Sequence, residues 1–503
     1  MYTIFRKTAW AAGIVLLTIS ACKRDHDAEM TPPKAPTPSA PHSDTTSSTT
    51  FSSRDSMYFL FKDEYLWNDV IPDSSTFKPN SFSNLEDMFT ALISYKKNTA
   101  GKNMDNYSFL DKGATASEIG EGQASDFGIG VKFNNAVNDL RVAYVYEGAS
   151  AYQQGIRRGW RITAINGNSQ LTFDGQNGPT STRIKNAIYH SQSIQLKLRK
   201  PDGSTVDISL NAANYTINPV LYSSILNVGD RKVGYLVFNQ FVAPNIARPK
   251  VDPVFTNFIN NGITDLIVDL RYNGGGDVQT AEYLANLIAP NSVGSNVMYK
   301  EFFNTNLTAH QYSQFLDKTL VPGRTFSWGF LFDQVVNSPT FSFNKAQSLN
   351  LNDVVFIGTD GTASASELVI NVLKPYMNVK LVGDTTYGKP VAFFDISVGG
   401  YDMYAPSVWL KNAQGQGDYF DGFIPDDNAQ AIANNTNFED YNIELGNTSE
   451  VYLRRALIMS GIPESTLGRL SPVSENLRRR VRVKIPLDDS HFKGMIETRF
   501  KFR

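Results

Sequence analysis

The chain has 503 residues, 41% hydrophobic and 19% charged, which is enough apolar side chain to bury cores over several domains of roughly 100–200 residues each. Its 47 Lys+Arg against 49 Asp+Glu leave a net charge of −2, which excludes the basic footprint that nucleic-acid binding requires. The single cysteine, Cys22, excludes a disulfide framework, a thiolate zinc site and an iron–sulfur cluster, and the five histidines are scattered without ligand spacing, so no metal or other cofactor is expected.

Arg6 and Lys7 precede an uncharged, mostly apolar stretch from Thr8 to Ala21, the layout of a secretory signal and too short for a bilayer-spanning helix of roughly 20 residues. It ends Ile19-Ser20-Ala21-Cys22, which resembles the bacterial lipobox, so residues 1–21 are expected to be a lipoprotein signal and Cys22 the lipidated residue. Positions 31–50 are dominated by Pro, Ser and Thr and hold nothing apolar larger than Ala or Pro; segment 22–52 therefore reads as a disordered tether between lipid and folded body.

Between 53 and 115, apolar residues recur at helical spacing (Met57, Leu60, Phe61, then Leu85, Met88, Phe89, Leu92), predicting a small helical domain. From 116 to 215 the pattern changes to short β-like runs punctuated by glycine, with a hairpin signal at Lys200-Pro201-Asp202-Gly203. Phe127-Gly128-Ile129-Gly130 followed by the run from Tyr146 to Gly167 resembles the PDZ domain of bacterial proteases. Glycines at 128 and 130 would let backbone N–H groups turn toward a peptide's terminal carboxylate while the edge strand takes the peptide by β-augmentation. Trp160 departs from the family, which usually has Asp there.

Residues 216–447 read as βα units. Apolar runs at 233–238, 266–270, 354–357 and 379–382 predict buried parallel strands, with helices over 278–288 and 365–373. The stretch 301–350 reads as an insertion over the site. In Gly361-Thr362-Ala363-Ser364-Ala365-Ser366-Glu367, small residues join a strand to a helix, where a serine hydroxyl can stand at the helix start among N–H groups that favour negative charge. Taken alone, such a serine is an ordinary N-cap. Gly388-Lys389-Pro390 follows the next strand, after room for a helix and a return strand, so both side chains can reach one sheet edge. A lysine buried there loses its proton more easily and can act as a general base.

These two segments, with Val268-Asp269-Leu270-Arg271-Tyr272-Asn273-Gly274-Gly275-Gly276, resemble the C-terminal processing peptidases of the S41 serine-protease family. The resemblance implies a layered α/β core of the ClpP/crotonase type carrying a PDZ-like domain and a small N-terminal helical domain. It implies Ser364 as nucleophile, Lys389 as base, and an oxyanion hole from the backbone N–H of Ala365 and of Gly275 or Gly276, with no cofactor. Glu367 matches a family carboxylate, while Arg271 and Asn273 are expected to be structural. Many members have a glutamine four residues after the lysine, where this chain has Phe393, so either another polar group, for example Tyr387 or Asp384, holds the amine or activity is weak. Gly422-Phe423-Ile424-Pro425-Asp426 resembles the turn that closes the family core.

Segment 448–503 is expected to hold a helix near 450–459 and a basic run at 478–484 whose alternation at 480–484 fits an exposed strand. Together these features predict an envelope-anchored serine endopeptidase acting on unfolded proteins or C-terminal tails. The alternative is a non-catalytic peptide-binding lipoprotein that kept the groove and lost turnover.

Overall fold

The computed structural model describes residues 51–499 apart from 322, 338, 346–348, 435, 437, 471, 473, 475, 477–484, 486 and 488–491. The expected signal, Cys22, nearly all of the tether and the basic run at 478–484 lie outside the described residues. From Phe51 onward the chain packs as one unit.

Helix α1 (Ser53–Glu64) starts at Ser52, whose side chain accepts the Asp55 N–H while Asp55 caps back, and α2 (Leu85–Ile93) starts at Asn84, whose side chain accepts the Asp87 N–H. Their apolar faces (Met57, Leu60, Phe61, Met88, Leu92) join the main core of the molecule and do not form one of their own. Next come β1 (Ile129–Phe133), β2 (Leu140–Val145), β3 (Arg161–Ile165), α3 (Pro179–Tyr189), β4 (Ser193–Arg199) and β5 (Thr205–Asn211). The five strands form one antiparallel sheet in sequence order, so β1 is an edge strand. In β4, buried Ile194, Leu196 and Leu198 alternate with exposed residues, the mark of a sheet with one wet face.

The second half is built differently. Its elements are β6 (Val220–Val228), β7 (Arg231–Phe238), α4 (Pro244–Asn260), β8 (Asp265–Asp269), β9 (Gly275–Asp277), α5 (Val278–Ile288), β10 (Val297–Phe302), β11 (Asp353–Gly358), α6 (Ala365–Leu373), β12 (Asn378–Gly383), β13 (Val391–Val398), β14 (Tyr401–Asn412), α7 (Val451–Met459) and β15 (Gly494–Ile496). Strands β12-β11-β8-β7 pair in parallel, with β6 antiparallel at the edge. One face (Leu236, Phe238, Leu266, Val268, Phe356) packs in the cluster that contains residues of α4, α5 and α6; the other (Tyr235, Ile267, Val355, Ile357) packs against Tyr452, Leu453 and Leu457 of α7. Both faces are covered, which is why these strands read as unbroken apolar runs. The fold is mixed α/β with several sheets.

Strands β9-β15-β13-β14-β10 form a second sheet beside the first. Its member β15 comes from the extreme C-terminal part of the described chain and pairs in parallel with β9 and β13. The stretch 301–350 includes helix Trp328–Val335, whose Trp328 and Phe332 pack edge-on against Phe394 of β13, so this segment is part of the main core.

Candidate active site

Three strand-to-helix or strand-to-strand turns converge on one edge. After β8 the chain turns through Gly274–Gly276 into α5, after β11 through Thr359–Ser364 into α6, and after β12 through Asp384–Pro390 into β13.

Ser364 is the residue before α6, fully buried, with φ 58° and ψ −105°. Among the described residues four other non-glycine residues have positive φ, and all four are at least partly exposed. A buried β-carbon held in this region is strained, and such strain collects at functional sites. The Ser364 Oγ has no hydrogen-bond partner, whereas the neighbouring Ser366 Oγ donates to the Asn273 carbonyl at 3.0 Å. Of the two serines in the turn, one is occupied by structure and Ser364 is the one left unpaired. Helix α6 stops at Lys374 because Pro375 follows.

Glu367, one turn into α6 and fully buried, organises the site. Its Oε2 accepts the N–H of Ser364 at 2.8 Å and of Lys389 at 2.9 Å, so the two backbone nitrogens are bridged by a single atom. Its Oε1 accepts from Thr386 Oγ1 at 2.6 Å and Gly388 N at 2.7 Å. Burial raises the Glu367 pKa while these donors oppose the rise.

Lys389 is fully buried, and its pKa lies well below the ordinary lysine value because burial disfavours the cation, with Asp105 and Glu367 opposing at longer range. The amine sits 3.3 Å from the centre of the Phe393 ring, with Tyr107 and Phe492 rings at 5.5 and 5.9 Å. The position where the resemblance led to a missing glutamine thus carries an aromatic face. The expectation that Tyr387 or Asp384 holds the amine is corrected: Lys389 Nζ donates to the Lys493 carbonyl at 3.1 Å. Asp384 accepts from Tyr452, and Tyr387 donates its N–H to Thr362 O while its ring lies 5.3 Å from the Lys493 amine.

The glycine turn is set by Asn273, which is fully buried; its Nδ2 donates to Phe238 O, its Oδ1 accepts the Gly275 N–H at 2.9 Å, and its carbonyl accepts the Ala363 N–H at 3.0 Å. That removes Gly275 from the expected oxyanion pair, since its one N–H is already bonded, and leaves Gly276 beside Ala365. Gly276 adopts φ 132° and a Cβ there would sit 2.0 Å from Phe241 O, so no other residue fits. A Cβ on Gly275 would lie 3.1 Å from the Ala365 nitrogen, which fixes the glycine turn against the helix start.

Phe127, Gly128, Ile129 and Gly130 lie at the start of β1, in the other sheet, and are buried. The Gly128 N–H donates to Asp126 at 2.6 Å and the Val131 N–H to Tyr189 of α3 at 3.3 Å. Sequence reasoning missed β15 altogether: nothing in the weakly patterned Phe492–Arg499 marks it as part of this site.

Residues 232–401 match the model of Peptidase family S41, a span that contains Ser364, Glu367, Lys389 and the glycine turn. The chain is 24% identical over 266 residues to the carboxy-terminal processing protease CtpA of Bacillus subtilis, covering 53% of this chain and 48% of that protein. It is 24% identical over 311 residues to a CtpA-like serine protease of Staphylococcus aureus, covering 61% and 53%. The chain thus spans about half the length of the curated relatives it matches. The crystal structure of an S41 protease candidate from Bacteroides fragilis superposes with a TM-score of 0.58 at 23% identity, over 81% of this chain and 97% of that one, which shows a shared fold. Over residues 232–401 the chain is thus similar to Peptidase family S41.

Proposed function

We infer that the chain is a serine endopeptidase acting through a Ser364–Lys389 dyad. The observation that carries this reading is the unpaired, strained, buried Ser364 hydroxyl whose backbone is tied by one Glu367 oxygen to that of a buried, proton-poor lysine. In the reaction, the Lys389 amine takes the Ser364 proton as Oγ attacks a peptide carbonyl. The N–H groups of Ala365 and Gly276 stabilise the oxyanion, Lys389 returns the proton to the leaving amine, and water hydrolyses the acyl-enzyme by the reverse sequence. Glu367 positions both residues through their backbone and does not touch the reacting atoms.

Substrates of this reading are unfolded proteins or C-terminal tails, taken as extended strands along β9. The PDZ resemblance at 116–215 supports a peptide-binding role for that sheet, and the lipobox-like Ile19–Cys22 supports a lipid anchor in a bacterial cell envelope. The test is cleavage of a reduced, unfolded protein by the full chain beside Ser364→Ala and Lys389→Ala. Loss of cleavage in both variants is expected; a Ser364→Ala variant as active as wild type overturns the reading.

A further inference from the structure

The site described above already holds a peptide, and it belongs to the chain itself. Residues Phe492–Arg499 run through it as an extended segment whose centre is β15. Gly494 pairs with Gly275 in parallel register, and its N–H donates to Gly274 O at 2.9 Å. In a parallel ladder of that register the next N–H, that of Gly276, faces the Gly494 carbonyl. The same carbonyl oxygen lies 2.2 Å from the point where a Gly275 Cβ would stand, the point that is 3.1 Å from the Ala365 nitrogen. A backbone carbonyl of the chain itself therefore faces the Gly276 donor and stands against the glycine turn at the start of α6.

On the other side, the Lys493 carbonyl takes the hydrogen bond of the Lys389 amine, which leaves the Ser364 hydroxyl without a partner. Beyond Gly494 the segment is fastened. Met495 and Ile496 are buried, Glu497 N–H donates to Phe393 O at 2.9 Å, Thr498 donates to Asp277, and Arg499 pairs with Glu282. Farther upstream, Leu487 is buried in the core of the β1–β5 sheet, and Lys132 of the edge strand β1 donates to its carbonyl at 3.4 Å. The C-terminal segment is thus gripped both by that sheet and by the site.

We propose that residues 492–499 are an intrasteric inhibitory strand, a tethered peptide that occupies the substrate groove of the Ser364–Lys389 site and must be displaced before a substrate can enter. The proposal rests on the peptidase reading of that site. Two features make the strand an inhibitor and not a passing substrate. It engages the base through the Lys493 carbonyl, and its downstream residues stay anchored, so an amine released at Met495 by attack on the Gly494 carbonyl would remain in place to re-form the bond. The advantage of tethering is concentration. A short tether gives a millimolar effective concentration, so a segment binding at ~0.1 mM in trans fills the groove in about nine of ten molecules.

Gly494→Val tests this without shortening the chain, because a Cβ at 494 would meet the Phe492 ring at 2.5 Å and the Lys389 amine at 2.8 Å. The full chain, Gly494→Val and a chain ending at 491 are compared for cleavage of an unfolded protein and for the rate at which a fluorophosphonate labels Ser364. Both variants are expected to exceed wild type about tenfold in both readouts, and the synthetic peptide Phe492–Arg499 to return the shortened chain to the wild-type rate. Equal rates in all three proteins, with melting curves showing each folded, overturn the proposal while leaving the peptidase reading standing. So does mass spectrometry showing that the full chain trims itself within 492–499, since the strand is then a substrate. If all three proteins are folded and inert toward both substrate and probe, the peptidase reading itself falls, and the proposal with it.

Discussion

Two buried polar clusters lie on neighbouring turns of the same parallel sheet and are built on opposite rules. In the first, Arg271 lies fully buried between Asp269 at 2.6 Å, Glu450 at 3.0 Å and Glu439 at 3.2 Å, and Glu439 also pairs with Arg158 at 2.9 Å. Every charge has an opposite charge in contact. In the second, Lys389 is equally buried with an aromatic face and a carbonyl for company and no ion pair among the described residues, and Ser364 Oγ has no partner. The first arrangement holds the fold together: Arg158 comes from the loop before β3, Glu439 and Glu450 from the chain before α7, and Arg271 from the turn after β8. The second leaves groups unsatisfied at a cost in stability, which is the condition for a group that must bind and release a proton.

Substitution separates the two rules, and the largest effect is on turnover. Ser364→Ala and Lys389→Met are each expected to lower kcat by about 10⁴-fold, measured on an unfolded protein substrate. Neither should lower the melting temperature, and Lys389→Met should raise it. The sign follows from linkage: the folded pKa of Lys389 lies below its ordinary 10.5, so the unfolded chain binds the extra proton over the intervening range and stability falls as pH drops through it. Methionine removes that loss. A melting temperature that drops on Lys389→Met would mean that the lysine belongs to the structural class.

Arg271→Met is the mirror image. It strands the Asp269 and Glu450 carboxylates in a dry interior, Glu439 keeping Arg158, and is expected to cost about 3–5 kcal/mol in urea unfolding, with the residual folded fraction keeping its kcat. Glu450, which burial would push up and Arg271 holds below its ordinary value, is expected to lose that depression.

Glu367→Gln falls between the clusters. Its two oxygens accept four hydrogen bonds, from Ser364 N, Lys389 N, Gly388 N and Thr386 Oγ1, and an amide keeps the shape while turning one acceptor into a donor facing N–H groups. Loss of about 2 kcal/mol of positioning, roughly thirtyfold in kcat with KM little changed, is expected. Because Glu367 acts through Lys389, the rising limb of the pH–rate profile should move along with kcat, whereas a purely structural role would leave it in place.

The two clusters were not equally legible in the sequence. The strands of the parallel sheet announce themselves because both faces are covered, so Leu266–Val268 and Val354–Ile357 are apolar without interruption. Ser364 and Lys389 stand in turns of small residues and glycines, a local pattern that shows in the sequence even though its cause, such as the 2.4 Å approach of a Gly388 Cβ to Phe420 O, shows only in the fold. The ion cluster was half visible: Arg271 sits in the glycine-turn motif, but Glu439, Glu450 and Arg158 are brought to it from far along the chain, and no local pattern encodes such a meeting. The helix Pro244–Asn260 was hidden by its internal Pro249 and Pro253, which propensity counts against a helix and tertiary packing of Val251, Phe255 and Phe258 overrides. The strand at Gly494 was hidden for a related reason. Its register is dictated by the groove it enters, and three residues are too few to carry a period.

The smallest effect tests that strand's anchor. Asp277 is buried at the end of β9, where burial and the nearby Glu497 and Glu282 raise its pKa to about 7 against the hydrogen bonds from Thr498 and Thr280 N–H. With the folded value above the unfolded one, its contribution is complete below the ordinary value of 3.8 and is lost as pH rises through about 7. Asp277→Asn keeps the shape and cannot ionise, so the fall in melting temperature between pH 4 and 7 should be shallower than in wild type, by a few degrees. If the strand is what Asp277 secures, the same substitution should make Ser364 labelling less sensitive to pH over that interval. A flatter melting profile with unaltered labelling would assign Asp277 to the sheet alone, on the structural side of the comparison.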